Sequence, residues 1–120
     1  MRKVFYLSTC NTCSRIIHEL QLEKHDFEFQ DIKTNPISCE DLDAMRQQVD
    51  SYEALFYKRA RKYKSMNLKD KTLSEDEWKS LILQEYTFLK RPVMIIDDEY
   101  FIGNSKKVVQ TAKNKLDGIK

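Results

Sequence analysis

Apolar positions along this chain follow three successive rhythms, and each predicts its own elements. Val4-Phe5-Tyr6-Leu7 is a short β-branched and aromatic run, the pattern of a buried strand. From about Thr12 to Glu23 the apolar residues Ile16, Ile17 and Leu20 fall on one helical face. Phe27-Glu28-Phe29-Gln30-Asp31-Ile32 alternates strictly, which predicts a second, half-buried strand. A strand–helix–strand opening favours a parallel pair joined by a crossover helix.

The rhythm then turns helical. Thr34-Asn35-Pro36 ends the strand. Ser38 followed three residues later by Asp41 has the form of a helix cap with an acidic first turn, and Leu42, Met45 and Val49 supply an apolar stripe. A further helix is expected from about Tyr52 to Tyr63 through Leu55 and Phe56. Ser74 with Glu77 forms a second capping box before Trp78, Leu81 and Ile82. Residues 38–86 thus read as wholly helical.

Alternation returns after Arg91-Pro92. Val93-Met94-Ile95-Ile96 predicts a strand, Asp97-Asp98-Glu99 a turn, and Tyr100-Phe101-Ile102 the hairpin partner. Gly103-Asn104-Ser105 closes that strand and caps a last helix through Val108, Val109 and Ala112. The order β-α-β, helical block, β-β-α gives an α/β fold: a mixed sheet with a helical insertion between strands 2 and 3. One domain is expected over residues 1–120, with 1–34 and 88–120 as its core and about 38–86 as the insertion.

Composition narrows the chemistry. A chain of 120 residues with 41% hydrophobic content can bury a core without disulfide staples. A net charge of +2 makes no whole-chain case for nucleic acid. No apolar run approaches the roughly 20 residues of a membrane span. The apolar run after Arg2-Lys3 is too short for a signal peptide, so a cytoplasmic protein is expected. Only Gly103 and Gly118 are glycines, which leaves no phosphate-cradling loop. Three cysteines without an export signal argue against a disulfide framework.

The remaining candidate chemistry is Cys10-Asn11-Thr12-Cys13. A cysteine that follows a strand and opens a helix meets unpaired N–H groups and a partial positive charge, which favour thiolate over thiol. Arg15 adds a nearby cation. Spacing of i,i+3 places Cys13 one turn further on, where it can attack a mixed disulfide formed on Cys10. Cys10 is then the nucleophile and Cys13 the resolving thiol. Inert packing and half of a metal site are the competing readings. A zinc site needs four ligands, and only Cys39, His18 and His25 remain to complete one, so thiol chemistry without a metal is the reading carried forward.

Other features weigh less. Lys58-Arg59-Ala60-Arg61-Lys62-Tyr63-Lys64 could hold a phosphate, an acidic peptide or the carboxylates of glutathione, but a solvated helix end explains most of such a run. His18 lies roughly 12 Å along the helix from Cys10, too far to be its base. His25 and Cys39 read as a solvated loop residue and an incidental thiol. Trp78, Tyr52, Tyr57 and Tyr63 sit at helical spacing and read as packing.

Four motifs together resemble the ArsC/Spx family: Cys10-x-x-Cys13 after the first strand; Asp31-Ile32-Lys33 with Pro36; Phe88-Leu89-Lys90-Arg91-Pro92-Val93; and Gly103-Asn104-Ser105. The resemblance covers nearly the whole chain and implies a thioredoxin-like sheet. In such folds a cis-proline, here Pro92, lies beside the reactive cysteine. It also implies three kinds of function. Arsenate reductases use one cysteine, matching Cys10, with arginines around the oxyanion. Small thiol reductases of the YffB type work with glutathione. Spx regulators use Cys-x-x-Cys as a redox switch and bind RNA polymerase. Arg91 matches an arginine of all three. Arg59 fits the spacing of the thiol-reductase and regulator types, whereas Tyr57 stands at the arsenate-reductase position and Asn104 where a third arginine would be. Loss of two guanidinium forks weakens the arsenate reading.

The expectation is therefore a thiol–disulfide oxidoreductase, with Cys10, Cys13, Arg91 and Arg59 catalytic and Asn11, Thr12, Pro92 and Asn104 lining the substrate. No bound cofactor is expected; glutathione would be a co-substrate. A small thiol or oxyanion is the substrate, with glutaredoxin as a further partner. Arsenate reduction and redox-switched binding to RNA polymerase are the alternatives.

Overall fold

The computed structural model describes residues 1–118. The chain divides into two compact units, one of Met1–Asn35 together with the chain from Arg91 onward, the other of Pro36–Lys90.

The first unit holds a four-stranded sheet. Its strands are β1 (Arg2–Tyr6), β2 (Glu28–Asp31), β3 (Val93–Ile96) and β4 (Glu99–Ile102), in the order β2-β1-β3-β4. β1 runs parallel to β2 and antiparallel to β3, and β3 pairs antiparallel with β4, so the sheet is mixed. Central β3 is buried throughout, as its unbroken Val-Met-Ile-Ile sequence requires. The β3–β4 connection is Asp97-Asp98, both at positive φ (49° and 78°). That is the twist a two-residue hairpin needs, and aspartate tolerates it better than most residues. Glu99, expected in the turn, is instead the first residue of β4 and pairs with Ile96.

Helices α1 (Asn11–Glu19) and α5 (Lys106–Asp117) pack on one sheet face. Ile16, Ile17, Ala112 and Leu116 meet Val4, Met94, Ile96 and Phe101 there, with Leu20, Leu22 and Phe27 closing the cluster. Ser105 caps α5 by accepting from the Val108 N–H. α1 ends earlier than expected: Gln21 takes a left-handed conformation (φ 53°) and a single tight turn, Leu22–Lys24, follows. That break places Leu22 in the core.

On β2 the expected alternation does not hold, since Glu28 and Phe29 are both exposed. Phe29 is 38% exposed, its ring edge-on to Tyr6 at 6.0 Å, while Gln30 is buried. The Gln30 amide donates to the Asn35 carbonyl at 2.8 Å, which compensates its burial.

The second unit contains α2 (Cys39–Arg46), α3 (Arg61–Ser65) and α4 (Glu75–Gln84). Both expected capping boxes are present: Ser38 with Asp41, and Ser74 with Glu77. Each such cap contributes about 1 kcal/mol. Val49, read as part of the first stripe, lies beyond the end of α2. The helix expected from Tyr52 to Tyr63 does not form. A single turn, Glu53–Leu55, gives way to extended Phe56 (φ −87°, ψ 130°), then a bend, then α3. Backbone pairing explains the break: Phe56 bridges to Leu89, Tyr57 N–H donates to Phe88 O at 2.7 Å, and Lys90 N–H donates to Leu55 O at 2.9 Å. The Phe56 ring stacks on Phe88 at 4.6 Å and meets Trp78 edge-on at 4.8 Å. Long-range packing here outweighs local helical spacing.

Candidate functional site

Cys10 is the N-cap of α1, in extended conformation, with Asn11 and Thr12 opening the helix. Its backbone closes a turn, donating to Leu7 O at 2.9 Å, and its carbonyl accepts from Ser14 N–H at 3.2 Å. The sulfur is half-buried, that of Cys13 fully buried, and both are free thiols.

Three donors bear on the Cys10 sulfur. Burial alone would raise its thiol. The Cys13 N–H, the Cys13 thiol and the Arg91 guanidinium outweigh that penalty and hold Cys10 below its usual value. The Cys13 N–H stabilises charge on that sulfur without closing a capping hydrogen bond. Cys13 goes the other way. Burial pushes its thiol up to about 12, against the pull of the Leu7 N–H, and the charge on Cys10 adds to the rise. The two thiols are thus split into one that ionises readily and one that keeps its proton.

Arg91 directly precedes buried Pro92, to which its peptide bond is cis, and the pair leads straight into β3. Pro92 O accepts from Gly103 N–H at 2.9 Å, and the Asn104 amide lies 3.5 Å from Arg91 O. Asn104 is therefore beside the Arg91-Pro92 backbone, with its side chain exposed. Lys106 and Lys107 follow in the first turn of α5, both exposed.

Of the expected site residues, Cys10, Cys13, Asn11, Thr12, Arg91, Pro92 and Asn104 lie in the sheet unit. Arg59 belongs to the helical unit, exposed in the bend that Ala60 N–H closes onto Tyr57 O at 3.3 Å. Within the basic run, Lys58 is paired with Glu53 and Lys62 with Glu85. His18 is exposed on α1; Arg15 beside it pairs with Glu19 at 3.8 Å rather than with Cys10. Leu7, Ser8 and Asp31 are not among the expected site residues, although Asp31 stands in one of the motifs above. Yet the Leu7 N–H reaches the Cys13 sulfur, and the Asp31 carboxylate accepts from the Ser8 N–H at 3.3 Å.

Among the described residues no three His, Cys, Asp or Glu side chains gather into a metal-binding group, and no helix is long and apolar enough to cross a membrane.

A family model described as the ArsC family matches residues 5–112. No curated protein matches the chain by sequence. Solved structures share the fold at low identity. A Vibrio cholerae arsenate reductase aligns with TM-score 0.76 at 17% identity, covering 93% of this chain and 95% of its own. A Brucella melitensis protein related to arsenate reductase gives 0.69 at 19%, covering 92% of each chain. A protein named YFFB gives 0.79 at 18%, covering 93% of this chain and 98% of its own.

Proposed function

Because this chain belongs to the ArsC family, we propose that it is a cytoplasmic thiol–disulfide oxidoreductase linked to glutathione. The observation that carries the reading is the split between the two thiols: donors converge on Cys10 while Cys13 stays protonated up to about 12.

The reaction starts with the Cys10 thiolate attacking one sulfur of a substrate disulfide. The substrate S–S bond breaks, one thiolate leaves and takes a proton from solvent, and Cys10 is left in a mixed disulfide. That step removes the charge on Cys10, which is one of the causes holding the Cys13 proton. Cys13 then loses its proton and attacks the Cys10 sulfur. The second substrate thiol leaves, and a Cys10–Cys13 disulfide forms. Two electrons have passed to the substrate. Two glutathione thiols, or a glutaredoxin dithiol, return them and are themselves oxidised to a disulfide.

Arg91 stabilises the thiolate and the charge passing between sulfurs. Asn11, Thr12, Pro92 and Asn104 are assigned to the surroundings of the substrate.

The test is turnover by wild type, Cys10→Ser and Cys13→Ser, with a glutathione mixed disulfide and with arsenate, each in glutathione and its recycling enzyme. Wild type is expected to turn over the disulfide. Cys10→Ser should lose at least about a hundredfold. Cys13→Ser should accumulate a mixed disulfide on Cys10, visible by mass. Cys10-dependent turnover of arsenate alone would make the protein an arsenate reductase instead. Silence on both, with oxidation-dependent capture of RNA polymerase, would make it a redox-switched regulator.

A further inference from the structure

The turn that carries Cys10 is tied to the sheet from one side by a single carboxylate. Asp31 is the last residue of β2, paired with Tyr6 in the parallel β1–β2 ladder. Its Oδ1 accepts the Ser8 N–H at 3.3 Å and the Lys33 N–H at 3.1 Å, and the Ser8 side chain also hydrogen-bonds to this carboxylate. Ser8 stands between Leu7, which already serves the thiols, and Cys10 itself. Leu7, just before it, offers its N–H to the Cys13 sulfur and its carbonyl to the Cys10 N–H. Thr9 and Cys10 follow. Ile32 N–H, next to Asp31, donates to Tyr6 O at 2.9 Å and anchors the same strand end.

We propose that Asp31 is a positioning residue for the reactive thiol: by holding Ser8, it sets where Cys10 stands relative to the Cys13 and Arg91 donors. This rests on the thiol chemistry assigned to Cys10 above. Asp31 acts through the turn. An exposed loop has no packing to hold it in place, and the donors on Cys10 are useful only at hydrogen-bonding range. Ser8 and Thr9 are both exposed, so polar ties do the holding. The tie is constant over the working range. The Ser8 and Lys33 hydrogen bonds keep Asp31 below the usual carboxylate range, so it stays ionised wherever Cys10 titrates.

The test is the rate of alkylation of Cys10 by iodoacetamide across pH 5–10, read site by site by mass, in Asp31→Ala, Asp31→Asn and Ser8→Ala. Cys39, exposed in the other unit, is the internal reference. Asp31→Ala is expected to slow Cys10 about fivefold at pH 7 and move its midpoint upward, with Cys39 unchanged. Asp31→Asn keeps an oxygen acceptor for the Ser8 N–H and should restore most of the rate. Ser8→Ala, which removes only the hydroxyl, should give a smaller change of about twofold. The proposal is overturned if Asp31→Ala lowers the melting temperature but leaves the Cys10 rate and midpoint as in wild type. It is equally overturned if Cys39 slows in parallel, since that would report general loosening. Alkylation needs no disulfide substrate, so a wild type that turned nothing over would refute the proposed activity without touching this result.

Discussion

Cys10 and Cys39 each have a cation for a neighbour, and the two surroundings differ in what else is present. At Cys10, in the sheet unit, the neighbours are donors: the Cys13 N–H, the Cys13 thiol and Arg91. At Cys39, in the helical unit, the thiol donates to the Asp43 carboxylate at 3.8 Å. Asp43 also binds Lys79 at 2.9 Å and accepts the Tyr52 hydroxyl at 2.5 Å. Lys79 therefore has a carboxylate to spend its charge on. Hydrogen bonds from Tyr52 first, then Lys79, hold Asp43 below its usual range, and Asp43 in turn holds Lys79 above its own. The comparison teaches that a cation near a thiol is shared with whatever else it binds: at Cys39 a carboxylate also takes Lys79. A carboxylate beside a thiol competes with the sulfur for the same cation.

The comparison breaks most sharply at Arg91. Arg91→Ala removes a charge-assisted donor from Cys10 and should cut its alkylation rate at pH 6.5 about tenfold. Arg91→Lys should recover part of the loss. The same contact couples folding to pH. Cys10 titrates lower in the folded chain than unfolded, so its contribution to stability is present above the unfolded value and fades as pH falls through the lowered one. The melting-temperature advantage of wild type over Cys10→Ser should shrink on acidification. An advantage that grows toward low pH would contradict the donor account.

A smaller effect, of opposite sign, is expected at the other thiol. Asp43→Asn removes the competing anion and leaves Lys79 and the Cys39 sulfur as neighbours. Cys39 alkylation should rise about threefold at pH 7.5. Lys79→Ala in the same background should cancel the gain. If Asp43→Asn leaves Cys39 unchanged, the carboxylate is not what separates the two thiols.

Much of this arrangement was legible from the residues alone, because local rules carry it. Ser38-x-x-Asp41, Ser74-x-x-Glu77 and the Asp97-Asp98 turn are short-range devices whose chemistry is written in adjacent positions. Placing Cys10 at a helix start needed only the strand before it and the apolar face after it. What escaped is of longer range. Phe56 and Leu89 pair across more than thirty residues, and no local periodicity announces an extended residue inside a helical stretch. Gln21 stops α1 with a positive φ where neither glycine nor proline marks a stop. The inward turn of Gln30 depends on an acceptor, Asn35 O, five residues on. Ser8 and Asp31 are twenty-three positions apart, and only the parallel pairing of β1 with β2 brings them together.

The last prediction concerns Asn104 and asks which side of the comparison it serves. Its amide lies 3.5 Å from Arg91 O, at the outer edge of hydrogen-bonding range, and its side chain is exposed. A bond that long between neutral groups in solvent contributes little to holding Arg91 in place. Asn104→Ala should therefore change the Cys10 alkylation rate by less than about twofold, a fraction of the Arg91→Ala effect. If Asn104 instead faces the substrate, as its place next to Arg91-Pro92 suggests, the same substitution should raise KM for the disulfide and leave kcat nearly constant. A shifted alkylation midpoint with unchanged KM would reverse the assignment and make Asn104 a clamp on Arg91. Because alkylation reads the thiolate and KM reads the bound substrate, one variant separates the group that charges the sulfur from the group that holds what it attacks.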